Sequence, residues 1–313
     1  MIHEVVSILE ALLFSMLEYA PALIFASLGA VLSERSGVVN IGVEGMMRMG
    51  AFAAAVAALS VPTGVSALAG MAGGAGLAAI HAYLCVKWRS DQVVSGMALN
   101  LVALAGITFL LESLFSPTGT PSIEQLTRWH IPVLASIPLL RGISGHSAMT
   151  YLALAAPFAF HLFLWRTAAG LRLRSAGEKP AAVATMGISV SALRTLAVLG
   201  SGMLAGLGGA ALSTSTLDRF EHHMPSGLGF MAVAAIVFGR WTPLGAFGAA
   251  LFFAAGNALR IGLASSAPGV LEVIPQGFLL ALPYVLTLLL LSTRQSQSGA
   301  PAALGTAYDP EAR

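Results

Sequence analysis

The residues with chemistry to offer in this chain are concentrated in Glu34-Arg35-Ser36-Gly37-Val38-Val39-Asn40-Ile41-Gly42-Val43-Glu44-Gly45-Met46-Met47. Asn40 and Glu44 stand four residues apart, with Gly42 and Gly45 beside them. A carboxylate at membrane depth costs about 2.5–3.5 kcal/mol on insertion scales, so it normally faces protein or a water-filled cavity. Glycine opens backbone conformations that are closed to other residues. One reading is a broken, cavity-lining element beside a translocation path. The other is a plain turn in which Glu44 pairs with Arg48 at i, i+4. Spacing alone does not choose between them. A second polar break is Gly239-Arg240-Trp241-Thr242-Pro243, where Arg240 either reaches lipid headgroups or lines the path.

Other chemistries are excluded by spacing. A phosphate-binding P-loop needs Gly-x-x-x-x-Gly-Lys-Ser/Thr. Lys87 is followed by Trp88 and Lys179 by Pro180, and there is no third lysine. The chain therefore carries no ATPase site of that kind. It has no His-Glu-x-x-His and no Gly-x-Ser-x-Gly. His222-His223, near Asp218 and Glu221, reads as a loop patch, because a fixed set of three or four metal ligands is not visible. Cys85 is alone, so it forms no internal disulfide and joins no metal cluster. It reads as a small apolar residue on a buried helix. No catalytic residue, metal or cofactor is expected in this chain.

The elements that position these residues follow from composition. Of 313 residues, 57% are apolar and 10% charged, with a net charge of +2. Soluble domains run near 45–50% apolar and about 25% charged. A chain this poor in charge, with a mean hydropathy of +0.82, is neither a soluble globular enzyme nor a disordered chain. Its basic residues are scattered, with no run beyond Leu171-Arg172-Leu173-Arg174, which excludes a nucleic-acid binder. The 34 glycines and 15 prolines suggest close helix packing and broken helices in a membrane.

About 20 apolar residues span a bilayer as a helix. Candidate stretches are 5–32, 38–59, 65–86, 93–115, 150–165, 193–212, 244–263 and 273–291. The stretch 228–238 is too short to span and reads as a half-helix. The first stretch is long enough to hide a break at Tyr19-Ala20-Pro21. Small-xxx-small spacings such as Gly202, Gly206 and Ala210 let helix backbones approach. The fold class is an all-α polytopic membrane protein with about eight to ten transmembrane or half-membrane helices. The first basic residue is Arg35, after Glu4, Glu10 and Glu18, so no cleaved signal is read and the N-terminus is expected outside. Basic residues orient the rest. They make 166–194 and Lys87-Trp88-Arg89 cytoplasmic, and leave 116–149 periplasmic. Residues 1–292 form one transmembrane domain, and the polar tail 293–313 is expected to be disordered.

Within 171–210, Pro180 opens a short helix, Gly187 ends or bends it, and Ser189 or Ser191 caps the next helix. The result is a short helix–turn–helix that a peripheral partner's groove can seat.

Taken together these segments resemble the permease subunits of ATP-binding-cassette (ABC) importers in the branched-chain amino acid/ribose/simple-sugar superfamily. The nucleoside-uptake branch, served by a basic-membrane-protein-type lipoprotein, is the closest in look. The resemblance is carried in order by residues 37–45, by Asp91-Gln92-Val93-Val94-Ser95-Gly96-Met97-Ala98-Leu99-Asn100, and by Arg174-Ser175-Ala176-Gly177-Glu178-Lys179-Pro180 with Met186-Gly187-Ile188-Ser189. It continues through Gly229-Phe230-Met231-Ala232 to Phe238-Gly239-Arg240-Trp241-Thr242-Pro243-Leu244-Gly245. Ile131-Pro132-Val133-Leu134 through Ile137-Pro138-Leu139-Leu140 is similar to the family's periplasmic loop. Similarity runs from about residue 20 to about residue 290. Asp91 stands where many relatives have Asn, and Arg48 adds a charge after the Glu44 turn.

The resemblance implies a type II ABC importer permease fold in a bacterial inner membrane, and no enzyme activity in this chain. Implied partners are a cytoplasmic ATPase that uses ATP and Mg, a second homologous permease giving a heterodimer, a solute-binding protein docking on 116–149, and a small polar solute. Ala176, Gly177, Glu178, Lys179, Pro180, Gly187 and Ile188 fall where the family couples to its ATPase. Asn40, Gly42, Glu44, Gly45, Asn100, Phe230 and Arg240 are similar to path-lining positions. The implied substrate is a purine-type nucleoside, with ribose, another simple sugar or a riboflavin-like vitamin as the alternative. A rival from another class is an ion-coupled secondary transporter using Glu10, Glu18 and Glu112.

Overall fold

A computed structural model describes residues 2–138, 140–266 and 299–309. Its helices are α1 (Ile2–Arg35), α2 (Val43–Ala58), α3 (Thr63–Ala82), α4 (Gln92–Leu114), α5 (Pro132–Ala135), α6 (Ala148–Arg166), α7 (Ala168–Glu178), α8 (Pro180–Thr185), α9 (Val190–Ala211), α10 (Leu228–Phe238) and α11 (Pro243–Ser266). Single π turns, Tyr83–Lys87 and Leu212–Thr216, lengthen α3 and α9. A two-residue pair, β1 (Arg128–Trp129) with β2 (His146–Ser147), closes the long loop before α6. Five helical segments of 19 to 30 residues are long and apolar enough to cross a bilayer. The expected stretch 273–291 lies outside the described residues.

The bundle is built around α9, which packs on α1, α2 and α3. The small-residue spacing explains the closeness. A Cβ on Gly206 would run into the Gly70 carbonyl, and one on Gly74 into the Gly202 carbonyl. Such stripes hold membrane helices by backbone contact, because lipid supplies no hydrophobic drive between helices. The outer face of α4 is apolar and open, with Leu101 66% and Phe109 69% exposed, as suits a surface against lipid.

Two expectations change. α1 runs unbroken through Pro21; at that level Gly208 of α9 closes on the Ala22 carbonyl, and packed neighbours make a proline tolerable in a membrane helix. The tail, expected as disordered, is seated where it is described, over residues 299–309. Ala303 N–H donates to the Gly177 carbonyl (2.8 Å) and Gly305 N–H to the Gly37 carbonyl (3.2 Å). Arg194 Nη1 donates to the Thr306 carbonyl (2.8 Å), and Asp309 pairs with Arg89 (2.9 Å). Apart from the Arg89–Asp309 pair, these bonds use the tail's backbone groups, which composition does not reveal.

The bundle has two distinguishable ends. Arg35, Arg89, Arg174, Glu178 and the tail meet at the basic end. The loops 115–147 and 217–226 meet at the other, joined by Thr120 N–H to the Phe220 carbonyl (3.0 Å) and Ile123 N–H to the Asp218 carbonyl (2.7 Å).

Candidate functional site

Two interruptions of helix carry the polar residues. The first, residues 36–42, joins α1 to α2 at the basic end. Its backbone groups need partners because no water is available in a packed bundle. Side chains from other helices supply them. Gln92 Oε1 accepts the Val39 N–H (2.7 Å), and His81 Nε2 lies 3.0 Å from the Val39 carbonyl. Asn100 Nδ2 donates to the Ile41 carbonyl (2.9 Å) while its Oδ1 accepts the Gly45 N–H (2.8 Å). Arg194 Nε donates to the Ser36 carbonyl (3.1 Å). Asn40 is wholly buried and donates to Ser201 Oγ (2.9 Å). Gly42 lies against Gly96, where a Cβ would come within 2.9 Å of the Gly42 nitrogen.

The second interruption is the arm 217–227 that leads down to the half-helix α10. Gly227 (φ +89°) turns the chain into the helix and Gly239 ends it. Glu44 connects the two interruptions. Its Oε1 accepts the Gly227 N–H (2.8 Å) and its Oε2 the Gly229 N–H (2.7 Å). The first amides of a helix have no internal acceptor, and its N-terminus carries partial positive charge. Glu44, in the first turn of α2, thus serves the N-termini of two helices at once. A side chain at Gly229 would collide with the Glu44 backbone, so glycine is required for this approach. Arg48 Nη1 instead donates to the His222 carbonyl (2.9 Å). Glu44 thus ties the first turn of α2 to the N-terminus of α10, and Arg48 is bonded elsewhere.

Above the N-terminus of α10, at the loop end, lies a cavity of about 510 Å³. Its polar lining includes Tyr19 of α1, Glu221 and His223 of the arm, and Asn257 and Arg260 of α11. Arg260 Nε is buried with no hydrogen-bond partner among the described residues. The arm's outer end is anchored by Asp218, which accepts from Ser122 Oγ and from Arg219 Nε (3.0 Å). These donors hold its carboxyl below the ordinary aspartate range, Ser122 contributing most.

Residues 12–291 match the family described as "Branched-chain amino acid transport system / permease component". The chain belongs to that permease family. It is 41% identical to the guanosine ABC transporter permease protein NupQ of Bacillus subtilis (strain 168), over 97% of this chain and 98% of that one. It is 38% identical to the nucleoside ABC transporter permease protein NupC of Lactococcus lactis subsp. cremoris (strain MG1363), again over 97% and 98%. The glucose ABC transporter permease protein TsgB13 of Haloferax volcanii is 30% identical over 75% of this chain and 65% of its own. The permease is a multi-pass membrane protein of an ABC transport system, with no enzyme activity of its own.

In the permease the coupling candidates gather at the basic end. Pro180 opens α8 at its first position, Gly187 (φ +75°) turns the chain out of it, and Ser189 caps α9 by accepting the Ala192 N–H (3.2 Å). Lys179 and Gly187 are exposed, while Pro180 and Ile188 are partly covered. Ala176 is fully buried with Val183 and Val190, and Ile188 and Tyr308 pack on that cluster. Gly177 abuts the Arg35 carbonyl. Glu178 Oε2 accepts the Ala302 N–H (3.1 Å) and Oε1 lies 3.8 Å from Arg35 Nη1.

The path candidates divide between the interruptions. Asn40, Gly42, Gly45 and Asn100 tie the first one shut. Phe230, 47% exposed, sits near the top of α10, and Arg240 lies exposed beyond its foot. There the chain is gripped at Trp241: Arg35 Nε donates to its carbonyl (2.6 Å), and its own Nε1 donates to Glu34 Oε2 (2.5 Å). Glu18 pairs with Arg128 (3.0 Å) at the loop end, so it is not a midplane carrier residue.

Sequence reading overlooked Tyr19, Asn257 and Arg260. A signal was present in the last two. They stand at i, i+3 inside the apolar stretch 244–263, and an ionisable residue in such a stretch marks a functional site by default.

Proposed function

We propose that this permease imports nucleosides, most specifically purine-type nucleosides, delivered by a solute-binding protein and driven by ATP and Mg in a separate ATPase. The observation that carries the reading is similarity along almost the whole chain to two permeases named for guanosine and nucleosides. The basic end is then cytoplasmic, following the positive-inside rule, and 116–149 with 217–226 form the periplasmic face. Residues 176–180 with Gly187 and Ile188 pass ATPase closure to the helices, and a homologous second permease completes the path as a heterodimer. The two interruptions support alternating access, since a half-helix held by one carboxylate is a discrete element that can shift. A simple-sugar substrate is the second reading, favoured by TsgB13.

The first test is a thermal-shift screen of the purified cognate binding protein against nucleosides, sugars and vitamins, because a ligand stabilises its receptor by mass action. A purine nucleoside is expected to give the largest shift. A sugar as sole hit would replace the substrate reading. In reconstituted complex, Gly187→Pro forces a negative φ on a residue that needs a positive one. It is expected to abolish the binding protein's stimulation of ATP hydrolysis while the subunits still co-purify. Full stimulation in that variant would remove the coupling role from this turn.

A further inference from the structure

We infer that the cavity over the N-terminus of α10 is a transit site for a 6-oxopurine nucleoside, in which Arg260 reads the acceptor edge of the base and Glu221 its donor edge. The inference rests on the nucleoside reading above and deepens it.

The cavity falls in the ordinary size range of small-molecule sites, about 300–1,000 Å³. Its walls join apolar surface from Leu228 and Met231 to a few polar groups converging from three separate elements. That is the make-up of a ligand pocket rather than of a packing defect, whose lining would be apolar throughout. Arg260 is the strongest sign. Arg260 lines this space, and its Nε, itself shut off from solvent, has no partner among the described residues, at a cost in free energy. The guanidinium is a planar fork that matches two adjacent acceptors. The O6 and N7 atoms of guanine or hypoxanthine are such a pair, and adenine, with an amino group at position 6, is not. Asn257, one turn earlier, adds an amide that both donates and accepts. Tyr19 offers a ring on which a base stacks, as single-stranded bases do on aromatic side chains elsewhere. Glu221 brings a carboxylate acceptor to the same space, suited to the ring N1–H that a 6-oxopurine presents and to its ribose hydroxyls. A hexose provides hydroxyls but neither the flat face nor the paired acceptors.

The cavity sits at the loop end, directly above the point where Glu44 holds the half-helix. A solute there lies between the docking face for a binding protein and the element that must move to let it pass. Occupancy is therefore transient, and the expected signature is discrimination during transport rather than tight binding.

The experiment uses the reconstituted full transporter with its wild-type binding protein, supplied saturated with either guanosine or adenosine. Arg260→Gln keeps length and polarity but loses the fork. It is expected to lower the guanosine-to-adenosine uptake ratio roughly tenfold, since a bidentate base contact discriminates by that order. The binding protein contributes the same factor to wild type and variant, so an unchanged ratio overturns the inference. If wild-type transporter takes up neither nucleoside, it is the nucleoside reading that fails. Should Arg260→Gln fail to assemble, photolabelling of the wild-type complex with 8-azidoguanosine decides. Label on peptides carrying Tyr19, His223 or Asn257–Arg260 supports the site, and label confined elsewhere in the permease overturns it.

Discussion

The two interruptions of helix in this permease face one physical problem and solve it in opposite ways. Residues 36–42 lie in a packed bundle, and four side chains from other helices, Gln92, His81, Asn100 and Arg194, hold backbone groups there. The arm 217–227 instead borders an open cavity and rests on a single carboxylate at its lower end. The first arrangement resists change because several bonds must break together. The second is bonded along its upper part to Arg48 and the 118–123 loop, but where it enters α10 its hold is concentrated in one group. A transporter needs both kinds, a fixed frame and a part with two resting places, and irregular backbone near membrane depth supplies each according to what surrounds it.

The largest expected effect comes from removing the link between them. Glu44→Ala leaves two buried amides without acceptors, at about 1–3 kcal/mol each. Thermal unfolding of the detergent-purified permease is expected to show a loss of several kcal/mol, with Glu44→Gln recovering part because one acceptor oxygen remains. Wild-type stability in Glu44→Ala would mean that α10 is held by something else.

Next comes the closed interruption. Asn100→Ala orphans the Ile41 carbonyl and the Gly45 amide, and Gln92→Ala orphans the Val39 amide. Losses near 2–3 and 1–2 kcal/mol are expected, with non-additivity in the double variant because both grip one short loop. The contrast with the cavity is sharpened by uptake. These variants are expected to leave the guanosine-to-adenosine ratio alone, and a shift in that ratio would erase the functional difference between the two interruptions.

The smallest effect is at the outer end of the arm. Ser122 and Arg219 depress the Asp218 carboxyl. A group whose folded value is lowered adds stability above its unfolded value and loses it as pH falls through the folded one. The contribution is thus full at neutral pH and fades below about pH 4. Asp218→Asn is expected to flatten that acid part of the unfolding profile, and an identical acid slope in the variant would assign it to other groups.

How much of this could be read beforehand depended on distance along the chain. The bounds of α10 were legible to the residue, because an apolar run ends in glycine on both sides. So was the turn Pro180–Gly187–Ser189, where each residue type has a local geometric reason. Asn40, Asn100 and Glu44 were legible as unusual but not as ties. The partners of Glu44, Gly227 and Gly229, lie more than 180 residues away, and no local pattern reports such a pairing. The tail was misread for a related reason. Its polar, small-residue composition is that of an unstructured segment, yet apart from Asp309 it docks through carbonyls and amides that every sequence possesses.

That docking has a consequence for how the permease is made. Residues 299–309 are synthesised after every helix they touch, yet they complete contacts begun at Gly37, Gly177 and Arg194. The face proposed above to receive the energy-supplying partner is therefore unfinished while the chain is still being translated. It closes as a last clasp, so that a prematurely terminated chain offers a face missing one of its fastenings.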